Sequence, residues 1–169
     1  MQIGNIHIGS AQSAKPPALT LGAAYNLWDN LVSRYDVIMA TQFYLNYVHD
    51  PDFRIILEQG LTMVLEQQVN ELEKELDKYK IPLPERPPKS VRFDSEANII
   101  SDEHVFDRLF KGIQGFVDSH IDAIRTTIYN DPVRELFVKF LKKELDVYNQ
   151  LCKYGKLKGW ILVAPIVNF

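Results

Sequence analysis

Between Thr20 and Lys80, apolar residues recur at alternating spacings of three and four, the period of helices that each bury one face. In the first arm Ala24, Leu27, Trp28, Leu31, Tyr35, Ile38, Met39, Gln42, Phe43 and Asn46 share one side of a helical wheel. Leu57, Leu61, Val64, Gln68, Leu72, Glu75 and Tyr79 do so in the second. His49-Asp50-Pro51 separates the arms. Proline removes a backbone donor and clashes with the preceding turn, and Asp50 can cap the helix that follows. The pattern predicts a helical hairpin with arms of about 28 residues, roughly 40 Å long at 1.5 Å per residue. One hairpin cannot cover its own apolar faces, so a second is required.

The chain supplies it after Ser101. Val105, Phe106, Leu109, Phe110, Ile113, Val117, His120, Ile124 and Ile128 make a third stripe, interrupted by Gly112 and Gly115, which are expected to mark a close approach by a neighbour. Asn130-Asp131-Pro132 repeats the chemistry of Asp50-Pro51, with Arg54 and Arg134 following the two prolines. Val133, Phe137, Phe140, Leu141, Glu144, Tyr148, Leu151 and Cys152 form the fourth stripe, which stops before Gly155 and Gly159. Helices are therefore expected at 20–49, 52–80, 102–129 and 132–155. From 81 to 101, Ile81-Pro82-Leu83-Pro84 and Pro87-Pro88 keep the backbone extended. About 21 residues at roughly 3 Å each outreach the rod, so this connector can run its full length.

Two tight turns and one rod-length connector predict an all-α fold: a ferritin-like, up-down-down-up four-helix bundle over 20–159 with one long crossover between helices two and three. Residues 1–19 read as an extended N-terminal arm. Residues 160–169, with Trp160, Ile161, Leu162, Val163, Ile166, Val167 and Phe169, read as an apolar tail expected to be buried along the bundle or in a dimer interface.

Composition narrows the function classes. A net charge of −3 provides no broad basic field, so nucleic acid is not an expected partner. A lone cysteine, Cys152, excludes an internal disulfide and a cysteine-based zinc site and fits a reducing compartment, with cytoplasm as the expected location. No window approaches the roughly 20 apolar residues of a transmembrane helix. His7, His49 and His104 have no ligand spacing, and no phosphate-cradling glycine loop is present.

Candidate chemistry lies at mid-bundle. Counting along the helices at 1.5 Å per residue places Tyr35 and Gln68 about 22–27 Å from one end, and His120 and Glu144 about 16–20 Å from the other, so all four meet near the centre. Ferritin-like proteins hold two metals at this level, using inward carboxylates and Glu-x-x-His pairs. Val147 stands three residues after Glu144 and Leu65 three before Gln68, so neither pair is present. Two readings follow. One is a satisfied polar network with no cofactor. The other is a single divalent metal on His120 and Glu144, with Gln68 and Tyr35 as weaker ligands.

The hairpins, the Ile81-Pro82-Leu83-Pro84 exit, the Asn130-Asp131-Pro132 turn and the Gly-Trp-Ile tail together resemble a spore-coat-protein-like family of endospore-forming bacteria, itself similar to ferritin-like bundles. The resemblance covers roughly 19–165 and implies a histidine in relatives where Gln68 stands here. It implies a non-catalytic structural or interaction protein, spore-associated, with itself or coat-type proteins as partners and a homo-oligomeric state. The alternative is a metal-binding, redox-active ferritin-like protein with a degenerate mid-bundle site.

Overall fold

The computed structural model describes residues 17–91 and 100–162, together with the backbone of 2–3 and 6–7. At the N-terminus β1 (Gln2–Ile3) and β2 (Ile6–His7) pair antiparallel, Gln2 opposite His7 and Ile3 opposite Ile6. Helix α1 spans Leu21–Tyr44. The second arm is built of α2 (Pro51–Gly60), a π-helical turn (Leu61–Leu65) and α3 (Glu66–Lys78). Helices α4 (Asp102–Thr126) and α5 (Asp131–Lys158) form the second hairpin.

Each of the four helical arms starts with the cap its sequence offers, the second arm continuing through the π turn into α3 without a new one. The side chains of Thr20, Asp50, Ser101 and Asn130 accept from the backbone N–H three residues on, at 3.0–3.2 Å. The two tight turns use the same device, because Arg54 donates to the carbonyl of Leu45 (2.7 Å) and Arg134 to that of Ile128 (3.0 Å). Each arginine thus satisfies an orphan carbonyl left by the preceding helix. Helix α1 ends five residues before the expected boundary. The Asn46 side chain takes the carbonyls of Gln42 (2.9 Å) and Phe43 (3.1 Å) and competes with the helical ladder. Helix α5 runs three residues beyond expectation, to a Gly159 whose φ of 73° lies in the left-handed region glycine tolerates.

Long-range hydrogen bonds establish the topology. The Asp102 carboxylate accepts from the backbone N–H of His49 (2.9 Å) and Asp50 (2.8 Å), so α4 begins beside the α1–α2 turn. Asn26 donates to Thr126 at 2.7 Å, so α4 ends beside the start of α1. Lys158 reaches back to Asp50 at 2.6 Å. The helices therefore run up, down, down, up, as the turn lengths predict. The described part of the connector contacts α3 and then the end of α1: Arg86 donates to Glu73 (2.6 Å), Gln42 to the Lys89 carbonyl (3.0 Å) and Asn46 to the Val91 carbonyl (3.0 Å).

Asn130 ties three segments together at the lower end. Beyond capping α5, its amide donates to the Tyr79 hydroxyl (2.7 Å) and to the carbonyls of Pro17 and Ala18 (3.3 Å each). Asn130→Ala should lower stability by about 1–2 kcal/mol in urea unfolding, through the lost cap and the stranded partners.

The core has two parts. The lower cluster contains Leu27, Leu31, Leu72, Leu76, Phe137 and Phe140; the upper contains Phe53, Leu57, Val105, Phe106, Ile113 and Leu151. At the upper end Trp160 packs against Phe53, Phe106 and Tyr154, with ring centroids 5.4–5.8 Å apart. The tail is therefore anchored at Trp160, Ile161 packs on the same cluster, and Leu162 is exposed. The rest of the expected buried tail, 163–169, lies outside the described residues, as do 92–99 of the connector and the side chains of the N-terminal arm before 17.

Among the described residues, Gly112 and Gly115 mark no close approach by a neighbouring helix, since a Cβ at either would meet nothing within 4 Å. The close approach is at Gly155, inside α5, where a Cβ would lie 2.7 Å from Ile161 Cγ1 and against the Phe106 ring.

Candidate functional site

A polar layer separates the two apolar clusters. Arg34 on α1, Gln68 on α3, His120 on α4 and Glu144 on α5 are all buried, Arg34 and His120 completely. Arg34 Nη2 donates to Glu144 Oε1 at 2.6 Å and faces His120 Nε2 at 2.8 Å. Gln68 Nε2 donates to the same Glu144 oxygen at 3.4 Å. The Arg34 guanidinium also lies over the Phe116 ring, 3.5 Å from its centroid, a cation–π contact in a desolvated setting.

The geometry assigns the histidine tautomer. A guanidinium can only donate, so His120 Nε2 must accept and the ring proton sits on Nδ1. Nδ1 has no partner among the described residues, and the ring packs among Phe116, Phe137 and Phe140. His120 and Glu144 are 3.9 Å apart at their closest charged atoms. That is too long for a direct hydrogen bond, and Arg34 bridges the two.

Electrostatics follow from burial. Burial pushes His120 below its ordinary value and, together with the positive Arg34, keeps it neutral, against the pull of Glu144. Burial alone would raise the Glu144 carboxyl, but contacts with His120, Arg34 and Gln68 hold it below the usual carboxylate range. Burial likewise lowers Arg34, opposed by Glu144. A histidine or carboxyl group held below its unfolded value binds fewer protons when folded, so stability is complete above the unfolded value and is lost as pH falls. Stability should begin to fall below about pH 6.5, as His120 takes up its proton only in the unfolded chain, and fall further as Glu144 protonates. His120→Phe should flatten the first part of that profile, read as urea midpoints between pH 7 and pH 5.

Of the four residues expected at the centre, His120, Glu144 and Gln68 meet and Tyr35 does not. Tyr35 turns into the α1–α3 seam, where its hydroxyl donates to Glu73, which also binds Arg86. Burial and the Glu73 carboxylate push the Tyr35 hydroxyl up to about 12. One residue before it, Arg34 takes the central position. Its signal lies in the run Leu27, Leu31, Arg34, Ile38, Thr41, which keeps the spacing of a buried stripe through a charged residue.

His120 Nε2 and Glu144 Oε1, the best nitrogen and oxygen ligands for a divalent cation, both address one Arg34 nitrogen. An always-charged guanidinium therefore stands where the ion would bridge them. As placed, these residues do not fit a metal. Among the described residues, no group of three or more His, Cys, Asp or Glu side chains is arranged to hold one.

The family model described as "Protein of unknown function (DUF3231)" matches residues 11–169. The chain belongs to the DUF3231 family. Its fold is similar to that of a candidate spore coat protein of Bacillus halodurans C-125, with a TM-score of 0.82 at 18% identity over 92% of this chain and 98% of that one. A conserved hypothetical protein of Mycobacterium tuberculosis is similar at a TM-score of 0.65 and 8% identity, over 81% of this chain and 99% of that one. No curated protein matches the chain. At these identities the likeness to the two structures is one of fold. No helix among the described residues is long and apolar enough to cross a membrane.

Proposed function

We propose that this DUF3231 protein is a non-catalytic structural or interaction protein that works in the cytoplasm of a sporulating cell and associates with the spore. The observation that carries the reading is Arg34, whose guanidinium spans Glu144 and His120 at 2.6 and 2.8 Å. With Arg34 there, neither candidate acid–base group is free: the carboxylate is held ionised in an ion pair and the histidine's Nε2 lone pair is engaged. The layer does what a buried polar layer does in a bundle, which is to set the register of four helices whose apolar faces could otherwise slide.

Spore association is supported by the fold shared with the Bacillus halodurans candidate coat protein. Self-association is supported by Leu21, Tyr25, Trp28 and Met39, exposed along one side of α1. A tagged chain produced in a sporulating Bacillus should fractionate with the coat extract of purified spores and sediment as more than a monomer when purified. A chain found only in the mother-cell cytosol, sedimenting as a monomer, would contradict the reading.

A further inference from the structure

We propose that the upper half of the bundle is a binding site for an uncharged, mostly apolar small molecule that carries one hydrogen-bond acceptor, such as a ketone or an alcohol. A cavity of about 250 Å³ lies directly above the polar layer, with Arg34 and Glu144 among its lining residues. The other described residues of its wall come from all four helical arms and are mostly apolar, including Leu57, Ile113 and Val147, with Thr41 and an Arg108 paired to Asp107 as further polar members.

Three observations point to a ligand and to its chemistry. Arg34 is completely buried, yet among the described residues its Nε and Nη1 have no hydrogen-bond partner. Buried N–H groups left unpaired are costly, and an acceptor oxygen entering the cavity would relieve that cost. Glu144 already neutralises the guanidinium, so the cavity floor carries no net charge. A second carboxylate there would face Glu144 across a mostly apolar space, and Arg108 in the wall is already paired with Asp107, so an uncharged ligand fits better than an anion. Finally, the π-helical turn Leu61–Leu65 forms part of the wall beside Gly60, and Gly112 lies in the wall opposite. A π turn widens a helix locally and recurs at binding sites, and neither glycine contributes a side chain to fill the space. An apolar cavity of about 150 Å³ admits benzene, so this one has room for about ten non-hydrogen atoms.

Three probes of equal size and shape separate the possibilities: acetophenone, cumene, which replaces the carbonyl oxygen with a methyl group, and benzoate, which replaces the methyl group with a second, charged oxygen. Calorimetric titration of the full chain at pH 8 should show one acetophenone bound per chain, with cumene and benzoate each at least about tenfold weaker. Ala40→Leu and Gly112→Leu, which narrow the cavity from α1 and α4, should abolish acetophenone binding while helical content and the cooperative melt remain. Arg34→Lys, which keeps the charge toward Glu144 but has no guanidinium edge, should bind acetophenone and cumene alike. Three results would overturn the proposal. They are no acetophenone binding up to its solubility limit, binding unchanged in both cavity variants, and benzoate or cumene equal to or tighter than acetophenone on the wild type, which alone decides the point if Arg34→Lys does not fold.

Discussion

Arg34→Met should destabilise the bundle by about 3–5 kcal/mol, Glu144→Leu by a similar amount, and the double variant should recover most or all of the loss. Both groups are almost entirely out of water, so removing one leaves the other as an unpaired buried charge. That penalty, and not the strength of the pair, sets the size of the single effects. Replacing both with apolar side chains of similar volume removes the desolvation cost altogether. Glu144→Gln should behave like Glu144→Leu, because a neutral amide also leaves the guanidinium uncompensated. The cycle is read from urea midpoints at pH 7.5, with the coupling energy taken as the departure from additivity. Additive single effects below about 1 kcal/mol would mean that Arg34 reaches solvent and that the layer is not closed.

Gly155→Val should cost about 1–3 kcal/mol by overpacking. A Cβ at this position meets the Phe106 ring and lies 2.7 Å from Ile161 Cγ1, and Phe106 is itself held by Phe53, Phe110 and Trp160. Helix propensity alone would favour the change, since glycine inside a helix costs up to about 1 kcal/mol relative to other residues. A destabilised variant therefore shows that contact outweighs propensity. Near-ultraviolet circular dichroism should report a changed Trp160 environment at the same time. Gly112→Ala and Gly115→Ala, at helical positions where a Cβ meets none of the described residues, should stabilise by a few tenths of a kcal/mol to about 1 kcal/mol.

The bundle was legible because its signals are local and redundant. The Asp50-Pro51 and Asn130-Asp131-Pro132 turns each combine a cap with a proline, and the connector is too long for a local loop, so the helix order follows from lengths alone. Helix ends were less legible where a side chain competes for backbone carbonyls, as Asn46 does. Counting residues placed His120, Glu144 and Gln68 at one level, since rise per residue is nearly constant. Rotation is less forgiving: neighbouring residues on a helix point about 100° apart, and Arg34 and Tyr35 are both buried, one to the centre and one to the seam. A charged residue reads as solvent-facing by default, which assigned the centre to Tyr35. The partners that keep Arg34 inside lie on helices far away in the chain, and no spacing near Arg34 announces them.

In this bundle an arginine occupies the place a cation would take. Metal content is the direct test, measured on protein purified without chelator or a metal-affinity step and then titrated with iron, manganese and zinc. With Arg34 in that place, no metal should be found in stoichiometric amount, and none of the three should raise the melting temperature. Stoichiometric metal in the wild type, lost in His120→Ala and in Glu144→Gln, would contradict this expectation.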